Sequence, residues 1–447
     1  MRDKDSFPWI LAAAYALVFS ILGALRYAVF RNFVDFGIFA QTVASAFGCF
    51  CNTREGSHWA FHFSPILYAV GALDRVWHSP LTLVVIQAIA CALTIPAIYA
   101  LVARRASRGT ARLAAIVVAL YPALAGLTFD DFHENGFAPA AVAWTLWAFD
   151  GGLLLATAAF AALALSIKED QAVFLGVAGL LGGWQYRWTR RGRLAIAVAL
   201  ASICIVLGFF LVIQPHAATA AHWAPTRFYS WSGKDLAGLP LGLLARAGFI
   251  VLLFLPLLFV PFRSAMMWLA AAPLAEVLLS RMSVTYTLGL HYAGAWLGYV
   301  LVAFAFAVRE YSAERINKLL GICIALCVVE FLVADPLHPG MNLRAPQPRD
   351  AALSRFLSTL PRDVSLATQE EAYTHLALTD PNARLLPEQP AEVPDACFVL
   401  IDDAYPNSAI LEEYGAAFQR VVRDGVYRLV RRDGQISLYR RVNACAK

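Results

Sequence analysis

Apolar runs of about twenty residues, the length a helix needs to cross the hydrocarbon core of a bilayer, recur along this chain up to position 334. Nothing else in the sequence constrains the fold as strongly. Backbone in lipid must satisfy its own hydrogen bonds, which leaves only helices and closed barrels. Hydrophobic residues make up 60% of the chain and charged residues 15%, far from a soluble average. The ten-residue alternation of a membrane barrel is absent, so the expected fold class is an all-α polytopic membrane protein. About eleven spans are expected by the hydropathy criterion, near 8–30, 81–103, 111–129, 136–149, 153–167, 171–186, 194–213, 240–261, 264–281, 290–308 and 318–334. The fourth and fifth are short and meet at Asp150-Gly151-Gly152, where a re-entrant hairpin is the alternative. The first run is too long for a signal peptide and lacks its cleavage site, so it is expected to be retained.

Orientation follows from lysine and arginine. One set of loops carries Arg104, Arg105, Arg108 and Arg112, then Arg187, Arg190, Arg191 and Arg193, both without an acid. Arg263, Arg309, Arg315 and Lys318 fall on the same parity, which is therefore read as cytoplasmic, with Asp150 the exception. The net charge of +5 resides largely in these loops and gives no argument for nucleic acid. All nine histidines fall on the opposite side. So do a long first outer loop (31–80), the segments TFDDFHENG and IKEDQ, and the tail. The expected domains are a multi-span region 1–335, a proline-rich linker 336–350, and a small α/β domain 351–447 on the outer face. In that domain DVSLAT, ACFVLID, GVYRLVRR and ISLYRR read as strands. Cys49 and Cys51 are too close in sequence for an easy mutual bridge, whereas Cys397 and Cys445 could pair in an oxidising compartment.

Three groups could carry chemistry. Asp35, in an apolar collar just after the first span, is either a functional carboxylate or a helix N-cap. Asp130-Asp131-Phe132-His133-Glu134 packs three carboxylates and an imidazole into five residues. They could act as general base and positioning groups, or hold a divalent cation, with Asp130 and His133 as the candidate ligands. A solvated acidic loop is the alternative. If that segment is helical, Asp130 and Glu134 share a face. Lys168, next to Glu169 and Asp170, could meet an anionic phosphate or simply end two helices. Weaker candidates for substrate contact are His62, Arg227, Arg281, His291 and Tyr292, since a histidine near aromatic residues is more often interfacial packing than a ligand.

The strings VDFGIFAQ, FHFSPILY, FDDFHENGFAP and LSIKEDQAVF, the late His291-Tyr292 pair and the tail string LPRDVSLATQEEAYTHLAL together resemble the DUF2079 family of bacterial and archaeal multi-pass membrane proteins. That family in turn resembles the GT-C glycosyltransferases, which use polyprenyl-phosphate sugars. The resemblance implies a GT-C-like fold in the bacterial inner membrane, and a membrane-lipid-linked sugar donor with a glycan, lipid or protein acceptor. It makes Asp35 the counterpart of the first-loop acid that serves as base or positions the acceptor, and makes Asp130, Asp131 or Glu134 the counterpart of a second acid, often near a metal, in a later outer loop. The paired acids that several such enzymes carry at the first position are absent around Asp35, which leaves metal dependence open. A transporter or flippase, and a non-catalytic scaffold with the same fold, are the alternatives. Transporters place ionisable groups near the midplane and repeat their halves, and the sequence shows neither.

Overall fold

A computed structural model describes residues 5–218, 222–233, 238–362, 364–387, 393–403 and 418–443. Among these, six helices are long and apolar enough to cross a membrane: Phe7–Ala28, Pro80–Ala103, Arg190–Ala217, Leu239–Leu257, Ala293–Glu310 and Ala313–Val333. Arg108–Ala119 and Pro122–Phe129, bent by 47°, make a seventh if they form one span. The break lies at Pro122, which cannot continue the preceding helix's hydrogen bonding. The other hydropathy runs fold into the shorter helices Ala138–Asp150, Leu154–Leu165 and Glu169–Gln185 and an interrupted segment ending in Ala271–Leu279.

The chain forms two compact units. The first comprises Met1–Gly23, Trp59–Ala69 and Val84–Pro339, and the second Ala24–His58, Val70–Leu83 and Gly340–Lys447. In the first unit the helix Ala293–Ala307 is buried along its whole length. Outer helices turn Leu17, Leu200, Leu211, Leu241 and Leu332 outward, an arrangement stable only where the surroundings are as apolar as the side chains. Small residues bring neighbours together. A side chain at Gly179, on Glu169–Gln185, would come within 2.6 Å of the Ala195 carbonyl on Arg190–Gly208. Arg246, on the helix Leu239–Phe254, is tolerated because its guanidinium donates to the carbonyls of Gly242, Leu278 and Ser280.

The second unit holds a mixed five-stranded sheet in the order Ala383–Leu385, Leu366–Thr368, Phe398–Asp402, Ile436–Arg441, Tyr427–Asp433. The first three strands are parallel and the last two an antiparallel hairpin, turned at Gly434 with φ +58°. All four expected strand runs are present. Ala383–Leu385 was not expected, because it carries no β-branched or aromatic residue to signal a strand. Val399, Ile401, Phe418, Tyr427 and Tyr439 form the core.

The first-loop helix Val34–Ala44 belongs to this unit and packs on Glu370–Leu376. Gly37 is the contact point, where an added side chain would reach within 2.3 Å of the Tyr373 ring. Tyr373 Oη donates to Gln41 Oε1 at 2.9 Å, and Gln41 Nε2 donates to the Asp380 and Ala383 carbonyls. Against expectation, Cys49 and Cys51 are joined, their Cα atoms 5.2 Å apart. The intervening Phe50 adopts a positive φ of +49°, which turns the chain enough for neighbouring-but-one cysteines to meet. Cys397 is also disulfide-bonded, and its expected partner Cys445 lies outside the described residues.

Candidate functional site

In the first unit, residues from five stretches of sequence converge. The helix Pro122–Phe129 ends at Asp130, and the chain then runs without helix to His133 before a short turn from Glu134 to Phe137. The helical face shared by Asp130 and Glu134 is therefore absent. The cause is Gln87, buried on Pro80–Ala92. Its Nε2 lies within 3.0–3.3 Å of the carbonyls of Leu127, Thr128, Asp130 and Asp131, and its Oε1 accepts the His133 N–H at 2.8 Å. One carboxamide thus satisfies the helix end and redirects the segment.

Redirection separates the acids and gives each a partner. Asp130 Oδ2 accepts the His291 backbone N–H at 2.7 Å and lies 3.2 Å from His291 Nδ1. This approach requires the loop before His291 to press against the helix. A side chain on Gly126 would sit 2.3 Å from the Gly289 Cα, and Gly289 has φ +96°. The His291 ring stacks on His133 at 4.1 Å with 7° between planes. His133 Nδ1 lies 2.9 Å from Glu134 Oε2, and Lys168 Nζ lies 3.6 Å from Glu134 Oε1. Lys168, where the chain enters the helix Glu169–Gln185, is largely buried, and Glu134 is fully so. Glu169, in that helix's first turn, binds His62 Nδ1 at 2.9 Å and the Phe63 N–H at 2.9 Å.

Burial lowers the His133 pKa to about 3, so the imidazole is neutral. Burial opposes ionisation of Glu134, but the neighbouring His133 and Lys168 hold its carboxyl well below the usual range. Burial likewise works against the Lys168 ammonium, and Glu134, Asp170 and Glu169 outweigh it to raise the lysine above its ordinary value. Burial pushes Asp170 up to about 6. The lysine therefore stays cationic in a site with little water, where an anionic group would feel its charge strongly. The Tyr292 ring lies beside His291 at 4.2 Å, tilted by 34°.

The other sequence candidates are placed as follows. Arg227 and Arg281 are exposed and linked, Arg281 Nε donating to the Arg227 carbonyl at 2.9 Å. Asp131 is buried. Asp35 lies in the second unit, half-buried in the first turn of Val34–Ala44. It is not the N-cap. Phe33 occupies that position, and Glu370 accepts the Val34 N–H. Among the described residues no three His, Cys, Asp or Glu side chains are grouped to hold a metal ion. Asp130 and His133 engage His291 and Glu134. Gln87 escaped the sequence reading altogether. Its one signal was a lone carboxamide inside an apolar run.

The family model described as "Predicted membrane protein (DUF2079)" matches residues 26–431. Among solved structures, ArnT from Cupriavidus metallidurans bound to undecaprenyl phosphate is similar, with TM-score 0.60 and 12% identity, over 99% of this chain and 100% of that one. The same protein in the apo state gives 0.57 and 10%, over 96% and 98%. At this identity the likeness establishes a shared fold. No curated protein matches the chain.

Proposed function

This chain belongs to the DUF2079 family of membrane proteins, and we propose that it is a glycosyltransferase moving a sugar from a polyprenyl-phosphate donor to an acceptor at the extracytoplasmic membrane surface. The observation that carries the reading is Lys168, a largely buried ammonium kept charged by Glu134, in a fold shared with a protein solved with undecaprenyl phosphate bound. A buried cation of this kind is suited to a phosphate. The sugar–phosphate bond breaks as the acceptor oxygen attacks, and the charge left on the lipid phosphate is the largest electrostatic demand of the step. Lys168 meets it, while Glu134 maintains the lysine's charge and Asp130 fixes the His291 ring. Asp170, His62, His291 and Tyr292 are assigned to the sugar, and the exposed Arg227 and Arg281 to drawing in the anionic donor. Asp131 remains a candidate second acid. Asp35 is assigned, by its likeness to the first-loop acid of GT-C enzymes, to take the proton from the acceptor hydroxyl.

The test is release of polyprenyl phosphate by purified full-length protein supplied with a panel of polyprenyl-phosphate sugars and acceptors. Replacing Lys168 with Met is expected to weaken donor use roughly tenfold or more, the worth of one charge-assisted contact. Asp35→Asn is expected to lower turnover by about 10²–10⁴ with little change in donor affinity. Full transfer by Asp35→Asn would remove that residue from the mechanism. Absence of release across the panel would favour the transporter or scaffold readings.

A further inference from the structure

The Asp150-Gly151-Gly152 corner gathers three guanidinium groups at the arginine-rich end of the first unit. Arg105 Nη2 lies 2.7 Å and Arg104 Nη1 3.2 Å from the Asp150 carboxylate. Arg191 Nη1 donates to the Asp150 carbonyl at 3.3 Å. Aromatic faces hold two of them in place, Arg104 over Trp147 at 4.4 Å and Arg105 over Phe306 at 3.6 Å. The glycines make room. A side chain at Gly151 would come within 2.5 Å of the Arg104 guanidinium, and one at Gly152 within 2.2 Å of Arg191. Membrane topology asks only for positive charge at this end. It does not ask for guanidinium groups pinned between carbonyls and rings.

Two further observations point to a ligand. Three cations face one carboxylate, so the cluster carries excess positive charge. Arg105, whose side chain is only 8% exposed, also has a buried Nε–H without an acceptor, and a buried donor left unmade is destabilising. Asp150 and Phe306 belong as well to the wall of a narrow cleft of about 100 Å³, lined otherwise mainly by apolar residues such as Leu146, Leu175, Leu194 and Met266. An occupant that suits both parts has a negative head and an apolar chain.

We propose that the corner and cleft bind an anionic phospholipid of the surrounding leaflet, its phosphate against Arg104, Arg105 and Arg191 and an acyl chain in the cleft. A leaflet rich in anionic lipid supplies such a ligand, and each basic side chain near the surface favours it. The inference needs only the membrane fold and stands whatever reaction the Lys168 site performs.

Native mass spectrometry of the full chain, exchanged into mixed micelles of phosphatidylglycerol and phosphatidylcholine, tests it. Wild type is expected to retain phosphatidylglycerol about tenfold or more over phosphatidylcholine. The preference should vanish in an Arg104→Gln/Arg191→Gln double variant. Retention of either lipid should fall in Ala178→Phe, which fills the cleft and keeps the arginines. Should one variant fail to fold, the other still gives the answer. Equal retention of the two lipids by wild type, an unchanged preference in the folded double variant, or undiminished retention in folded Ala178→Phe would overturn the proposal. Full displacement by millimolar inorganic phosphate would show an anion site without a lipid chain, and would overturn it as well.

Discussion

Glu134 and Lys168 stabilise the fold only as a pair. Each is buried, and removing one partner leaves the other charge uncompensated, a loss of about 3–5 kcal/mol. Glu134→Gln should therefore lower thermal stability sharply, and Lys168→Met likewise. The double variant should lie well above the sum of the two, which a thermal-unfolding cycle measures directly. Gln87 makes a second residue-scale prediction. Gln87→Leu leaves the His133 N–H and several carbonyls unpaired, at roughly 1–3 kcal/mol for each buried group. If Gln87 positions the acids, donor turnover in a folded Gln87→Asn variant should drop more than its stability does. The acidic residues of this site were legible as a dense cluster. Their partners were not, because His291 stands 161 residues from Asp130.

At the scale of elements, Glu370–Leu376 shows how a short helix collects function from packing. His375, near its end, is packed between the rings of Tyr27 at 4.0 Å and Phe30 at 3.7 Å. Burial lowers its pKa from 6.5 to about 4. A histidine that is neutral when folded but titrates normally when unfolded contributes stability that is fully present above about pH 6.5. That stability is lost as pH falls from there towards 4, since the unfolded chain binds the proton first. Unfolding temperature measured across this range should decline, and His375→Phe should flatten the decline while keeping the stack. On the same helix Tyr373 faces Gly37. The strands in this unit were readable where the run around them carried β-branched or aromatic side chains. The Val34–Ala44 helix was read as part of a loop attached to the spans. Its grouping with Gly340–Lys447 depends on the Gly37–Tyr373 and Gln41 contacts, which no local pattern encodes.

For the whole molecule, the arginine asymmetry predicts that residues after 335 lie outside the cytoplasm. A single cysteine introduced at exposed Ser358 should react with an impermeant maleimide in intact spheroplasts, whereas one at exposed Arg187 should react only after lysis. The reverse pattern would invert the topology and move the proposed chemistry to the other face. The sequence by itself determined the membrane class, the helical bundle with its small sheet, and the clusters of ionisable residues, because hydropathy, length and charge density are local along the chain. Only the tertiary structure decided that Gln87 ends a helix, that Asp130 belongs to His291 and Glu134 to Lys168, and that Cys49 meets Cys51. Those pairings follow from close packing and from the need of each buried polar group for a partner, and packing brings together residues whose separation in sequence carries no signal of their contact.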